Sequence, residues 1–143
     1  MPDRKQPNPG RNDLNSSTIE EFRARGGRVA RFPNQPLLLL HHRGARTGIE
    51  RVNPLAYLSI DGGFAVFASK GGAPTNPDWL YNLVANPDVA VEVGREVVAV
   101  RARVAQGEER DRIWEEQKRR NTAFAEYERK TTRRIPVVIL ERV

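Results

Sequence analysis

An α+β fold built on a small β-barrel, with about six mostly antiparallel strands and peripheral helices, is the class this sequence predicts. Six short runs of strand length, either continuously apolar or alternating, are spread along the chain. Glycine turns, Asp61-Gly62-Gly63 and Gly94-Arg95, join neighbouring runs as hairpins. Helical periodicity is confined to short segments between the runs, each with one apolar face to dock on a sheet.

The elements follow in order. Residues 1–13, rich in Pro, Asn and charge, read as a disordered lead, leaving 14–143 as a single domain. Ser17-Thr18-Ile19-Glu20 has the capping-box pattern that opens a short helix, with Ile19 and Phe22 on one face and Gly26-Gly27 as its stop. The continuous apolar run in 37–42 predicts a buried strand. A basic turn over 44–48 leads to a second strand at 51–60, and the hairpin turn leads to a third at 64–69. Pro77 starts a helix over 77–85, which Asn86-Pro87 closes. Strands at 89–93 and 96–105 form the next hairpin; in the second, Val98, Val100 and Ala102 alternate with Arg101 and Arg103. Residues 108–120 form a charged helix with Ile113 and Trp114 as its apolar contacts. A shorter helical piece spans 124–128, and residues 135–140 make the last buried strand.

Composition narrows the chemistry. The chain has 143 residues, no cysteine, and 24 Lys+Arg against 18 Asp+Glu, with 20 of the 24 being arginine. Disulfides, thiolate catalysis and zinc–sulfur sites are excluded, and a cytoplasmic setting is expected. No apolar run reaches membrane-spanning length, and no secretory signal pattern opens the chain. Arginine favours bidentate contact with phosphate and carboxylate, so a multiply anionic partner is expected.

Three constellations stand out. Arg43, Gly44, Ala45, Arg46, Thr47, Gly48, Ile49, Glu50 and Arg51 form a basic turn after a buried strand, suited to wrapping a phosphate. In Ser69-Lys70-Gly71-Gly72, a strand runs into a small-residue loop whose N–H groups suit an anion or a polar ring edge; Pro77, Asp78 and Trp79 open the helix behind it. Phe124 and Tyr127, spaced i, i+3, share a helical face that can roof an apolar pocket, with the Tyr127 hydroxyl as donor. Each also has a plainer reading as solvated turn, loop or core packing. His41 and His42 point to opposite faces of a strand and cannot chelate one ion, so no metal is expected. No Ser/His/Asp set, acid pair or Walker-type loop is present, so any chemistry rests on a cofactor.

Taken in order, Ile19-Glu20-Glu21-Phe22, the apolar run 37–40, the basic turn 43–48, Arg51-Val52-Asn53-Pro54-Leu55, residues 68–79, Tyr81-Asn82-Leu83, Ala85-Asn86-Pro87 and Arg134-Ile135-Pro136-Val137 resemble the deazaflavin-dependent nitroreductase family. These are actinobacterial oxidoreductases that use coenzyme F420. The resemblance spans roughly residues 17–143 and implies a split β-barrel and an F420-dependent reductase. It implies that Arg46, Thr47, Gly48 and Arg51, helped by Arg43, hold the anionic cofactor tail. Ser69, Lys70, Gly71 and Gly72 would line the deazaflavin ring, with Pro54 and Ala56 on the barrel side and Trp79 and Asn82 supporting the loop. Phe124 and Tyr127 would bound the substrate, a quinone, enone or nitroaromatic, with Ser69, Tyr127 or water supplying a proton.

FMN is the alternative cofactor on the same fold; its phosphate needs fewer positive groups than this chain carries. A non-catalytic F420 carrier is a further alternative. A nucleic-acid-binding barrel is disfavoured, because Tyr57, Phe64 and Phe67 lie within apolar runs rather than among surface cations. A monomer or weak dimer is expected, with a peripheral position at the inner face of the plasma membrane as an option.

Overall fold

The computed structural model describes residues 9–143. Six strands, β1 (Leu37–Arg43), β2 (Glu50–Ile60), β3 (Gly63–Phe67), β4 (Asp88–Val93), β5 (Glu96–Val104) and β6 (Val137–Arg142), form a closed barrel in the order β1-β2-β3-β6-β5-β4. Every neighbouring pair is antiparallel, and β4 closes on β1 through Leu39↔Glu92, Leu40↔Val91 and His41↔Ala90. Four helices surround it: α1 (Pro9–Ala24), α2 (Asp78–Ala85), α3 (Gly107–Arg120) and α4 (Ala123–Arg129). The split barrel that the sequence predicts is the fold observed.

The continuous apolar runs are explained by burial on both strand faces. Leu38 and Leu40 of β1, with Val138 and Leu140 of β6, point into the barrel among Phe64, Val66, Val91 and Val100. Leu37 and Leu39 point outward under Phe22 and Val29, while Val137 and Ile139 pack against Trp114 and Phe124. Each such side chain removed from water stabilises the fold by roughly 1.5–3 kcal/mol. Helix α2 packs its Trp79, Leu80 and Leu83 into the interior cluster.

Several boundaries differ from the sequence reading; β6, for example, runs Val137–Arg142 rather than over 135–140. Helix α1 begins at Pro9, so Ser17 lies inside it; its hydroxyl donates to the Leu14 carbonyl (3.2 Å) instead of capping. The start of the expected disordered lead, residues 1–8, lies outside the described residues. Strand β3 ends at Phe67, two residues early, because the chain turns at Ser69. That early exit shapes the site. Strand β3 pairs with β2 only across Tyr57–Ile60, whereas β1 pairs with β2 from Glu50 to Ala56. Pro54 therefore lies on a stretch of β2 with one strand neighbour, which suits a residue with no N–H to donate. No helix among the described residues is long and apolar enough to cross a membrane.

Candidate active site

Because neighbouring strands are antiparallel, β1 ends, β2 begins and β3 ends at one rim of the barrel. The basic turn lies there. Gly44 and Gly48 close it through Gly44 N–H to the Ile49 carbonyl (3.0 Å) and Gly48 N–H to the Gly44 carbonyl (2.9 Å). The Thr47 hydroxyl accepts the Ile49 N–H (3.2 Å), and a methyl on Gly44 would lie 2.4 Å from that oxygen. Arg43, Arg46 and Arg51 are exposed and have no acidic partner among the described residues.

A buried polar chain holds this turn to the barrel. The Ala45 N–H donates to Asn82 Oδ1 (2.9 Å), Asn82 Nδ2 meets His42 Nδ1 (3.0 Å), and His42 Nε2 meets Asn53 Oδ1 (2.7 Å). The set is consistent with a neutral imidazole that donates from Nε2 and accepts at Nδ1. Burial pushes the His42 pKa below its ordinary value of 6.5, and the Arg51 charge pushes it the same way. His41, on the opposite strand face, instead meets Glu92 (2.6 Å), whose carboxyl is held below the usual range mainly by its bond with Arg23.

The His42 chain makes a pH prediction. A neutral His42 contributes stability that is complete above about pH 6.5 and is lost as pH falls through its lowered folded value. The Glu92 contribution is lost only below about 4.5, a separate window. Thermal unfolding should therefore fall by a few degrees between pH 7.5 and 5, and His42→Gln should flatten that slope. An identical slope in the variant would refute the assignment.

Across the rim, Ser69 is buried in right-handed geometry (φ −76, ψ −36), and three left-handed residues follow: Lys70 (φ 48), Gly71 (φ 64) and Gly72 (φ 87). Right-handed followed by left-handed backbone makes successive N–H groups converge. Those of Ser69, Lys70 and Gly71 take no acceptor among the described residues. Gly72 sits directly against α4: a methyl there would lie 2.9 Å from Lys130 Cβ and 3.0 Å from the Tyr127 carbonyl oxygen. The Lys70 ammonium is directed to Thr75 Oγ1 (3.1 Å).

Between α1, β2 and α4 lies a cavity of about 190 Å³. Pro54 and Ala56 form its barrel wall, while Phe124 and Tyr127 close the α4 side, their rings edge to face at 5.1 Å. Phe124 is also core, packed on Phe67 and Trp114. The cavity has a polar wall of Asn121, which the sequence placed near the aromatic pair, and of Thr18, Arg31 and Gln35, which it did not signal. Arg31 donates to Thr18 Oγ1 (2.8 Å), and Gln35 Oε1 accepts from Asn121 (2.8 Å) and Gln117 (3.2 Å).

The fold therefore brings Pro54, Ala56, Phe124 and Tyr127 together, with the loop carrying Ser69, Lys70, Gly71 and Gly72 abutting the same helix. Arg43, Arg46, Thr47, Gly48 and Arg51 stand at the rim. Asn82 braces the basic turn, and Trp79 lies in the barrel interior. Sequence reasoning passed over His42 and Asn53 as structural partners; the spacing of Leu38, Leu40 and His42 on one inward face was the available signal.

A family model for F420H(2)-dependent quinone reductase matches residues 15–142. An F420H(2)-dependent quinone reductase of Mycobacterium tuberculosis is 39% identical over 126 residues, covering 85% of this chain and 85% of its own. Among solved structures, an F420-H2 dependent reductase, FDR-A, is 41% identical with a TM-score of 0.68, over 74% of this chain and 94% of that one. Another, described as a domain-swapped dimer, is 34% identical with a TM-score of 0.70, over 92% of this chain and 99% of that one. The chain belongs to the F420H(2)-dependent quinone reductase family.

Proposed function

We propose that this F420-dependent reductase delivers hydride to a flat quinone held in the cavity between β2 and α4, and that its rim residues divide the work. The observation that carries this reading is the contact of the ring-loop glycine, Gly72, with the helix that presents Phe124 and Tyr127 to the cavity. The residues present fit the cofactor. Convergent N–H groups and the exposed backbone of Gly71 suit a polar ring edge, and three exposed arginines without acidic partners among the described residues suit a phosphodiester and a carboxylated tail. Reduced F420, when bound, supplies the hydride.

In this reading Arg46, Thr47, Gly48 and Arg51, with Arg43, bind the tail. Ser69, Lys70, Gly71, Gly72, Pro54 and Ala56 orient the ring, and Asn82 braces the tail-binding turn. The barrel wall and Phe124 keep water from the acceptor, and the Tyr127 hydroxyl donates to a carbonyl oxygen of the acceptor as negative charge develops there. A quinone gains the hydride and a proton to become the hydroquinone, the proton coming from Tyr127, Ser69 or water. Phe124 offers no hydroxyl, so a quinone suits the roof better than a nitro group does. A monomer or weak dimer acting in the cytoplasm, with peripheral contact at the membrane face where lipid-soluble quinones reside, completes the proposal.

The test is fluorescence titration with F420 and FMN side by side, then turnover of reduced F420 with menadione and with a bicyclic nitroimidazole. F420 should bind and FMN should not. Menadione should be reduced while the nitroimidazole is left nearly untouched. Tyr127→Phe should slow quinone turnover by about tenfold or more, the scale of one positioned donor. Efficient nitroimidazole reduction by the parent, or indifference to Tyr127→Phe, would overturn the substrate assignment.

A further inference from the structure

We infer that Arg133 is a positioning residue for the reaction: its guanidinium holds the loop from Ser69 to Asn76 in the one conformation that keeps three N–H donors convergent and unpaired. Arg133 lies in the segment between α4 and β6, some sixty positions from the loop it grips. Its Nη2 donates to the Ser69 carbonyl (2.9 Å), its Nε to the Ala73 carbonyl (2.9 Å) and its Nη1 to Asn76 Oδ1 (2.7 Å). The three acceptors bracket the left-handed run from both ends.

That run resists formation on its own. Lys70 is the one non-glycine residue with positive φ among the described residues, and a left-handed lysine crowds its Cβ against the following carbonyl. Gly71 and Gly72 carry high backbone entropy in the unfolded loop. The local main-chain bonds that oppose this are two, Gly72 N–H to the Ser69 carbonyl (2.9 Å) and Ala73 N–H to the Lys70 carbonyl (3.1 Å), beside the Lys70 side-chain bond to Thr75. Arg133 adds three, two of them to main-chain carbonyls. With the Ser69 carbonyl engaged by both Gly72 and Arg133, both of its lone pairs are used. The peptide planes are thereby set, and with them the directions of the Ser69, Lys70 and Gly71 N–H groups.

The same guanidinium ties the ring loop to the substrate roof. Arg133 follows α4 by four residues, its N–H donates to Thr131 Oγ1 (3.3 Å), and Gly72 packs on the Tyr127 carbonyl. A shift of the loop by an ångström relative to Tyr127 separates donor ring from acceptor, a displacement worth about a hundredfold in rate. Only a planar fork can span the three acceptors. A lysine ammonium is a point charge at the end of a single stem and reaches one of them at a time.

The role of the loop in orienting the ring rests on the proposed function; the grip of Arg133 on the loop does not. Hydrogen exchange is therefore measured first, on the cofactor-free protein, for the parent, Arg133→Gln and Arg133→Lys. Both variants should lose protection at the Gly72 and Ala73 amides, while amides of β6 and β1 keep theirs. If Arg133→Gln does not fold, Arg133→Lys decides. Next, affinity is compared for F420 and for a tail-free deazaflavin. Both variants should weaken the two ligands by the same factor, about tenfold, because the tail arginines are untouched. Their kcat with menadione should fall about tenfold or more with the menadione KM within about threefold. Unchanged exchange at Gly72 and Ala73 would overturn the inference, as would full rescue by lysine or loss of affinity for F420 alone. If exchange changes as expected but the parent binds neither deazaflavin, the proposed function fails and the grip of Arg133 stands.

Discussion

The Arg46→Ala/Arg51→Ala double variant binds F420 at least about a hundredfold more weakly than the parent, each arginine contributing about 1.5–3 kcal/mol through charge-assisted bonds. Neither guanidinium has an acidic partner among the described residues, so removing it leaves no buried charge behind. The loss therefore reports the interaction with the tail rather than damage to the fold, and the unfolding temperature should stay within a few degrees of the parent's. Both side chains are exposed, so salt screens them. Raising salt from about 50 to about 500 mM should weaken F420 binding to the parent far more than to the double variant. A tail-free deazaflavin should bind parent and variant alike. Equal affinity of the parent for F420 and for the tail-free ring would remove the arginines from the tail site.

Gly72→Ala should cost about 2–5 kcal/mol of stability and abolish most quinone reduction, because two penalties add. Alanine at φ +87 pays for a left-handed conformation, about 1–2 kcal/mol. Its methyl also arrives 2.9 Å from Lys130 Cβ and 3.0 Å from the Tyr127 carbonyl oxygen, an overpacking worth about 1–3 kcal/mol. Neither contact can yield by rotating a flexible side-chain end, so either the loop or α4 must move. Either movement separates the ring loop from the roof of the cavity. A contrasting control is Gly71→Ala. That position also has positive φ but nothing within 4 Å of a built methyl, so it should show the backbone cost with far less loss of turnover. Equal effects of the two changes on turnover would show that the Gly72 contact with α4 is irrelevant to catalysis.

Much of the fold was legible in the chain itself. Strand period, glycine turns and the proline at the head of α2 are local signals, and they located all six strands and the four helices to within a few residues apart from the start of α1. That start was missed because Ser17 and Glu20 imitate a cap equally well inside a helix, where the serine hydroxyl simply bonds back to Leu14. Trp79 illustrates a different limit. Its spacing in α2 is the same whether it walls a ligand or fills a core, and only the packing of α2 with the barrel interior put it with Leu80 and Leu83.

The arginine turn, the Ser69 loop and the Phe124–Tyr127 pair were likewise picked out from sequence alone, since each is contiguous or separated by one helical turn. What joined them was decided only by tertiary structure. Arg133 is one arginine among 20 in the chain, with no periodic or motif signal to mark it. Its three acceptors lie 57 to 64 positions away. The His42–Asn82 link spans 40 positions, and the polar wall of the cavity comes from α1, the loop after it and α3's end. Short-range patterns encode which element forms, because hydrogen-bond period and turn chemistry act over a few residues. Which side chains meet across the rim depends on barrel closure and helix docking, which no local pattern specifies.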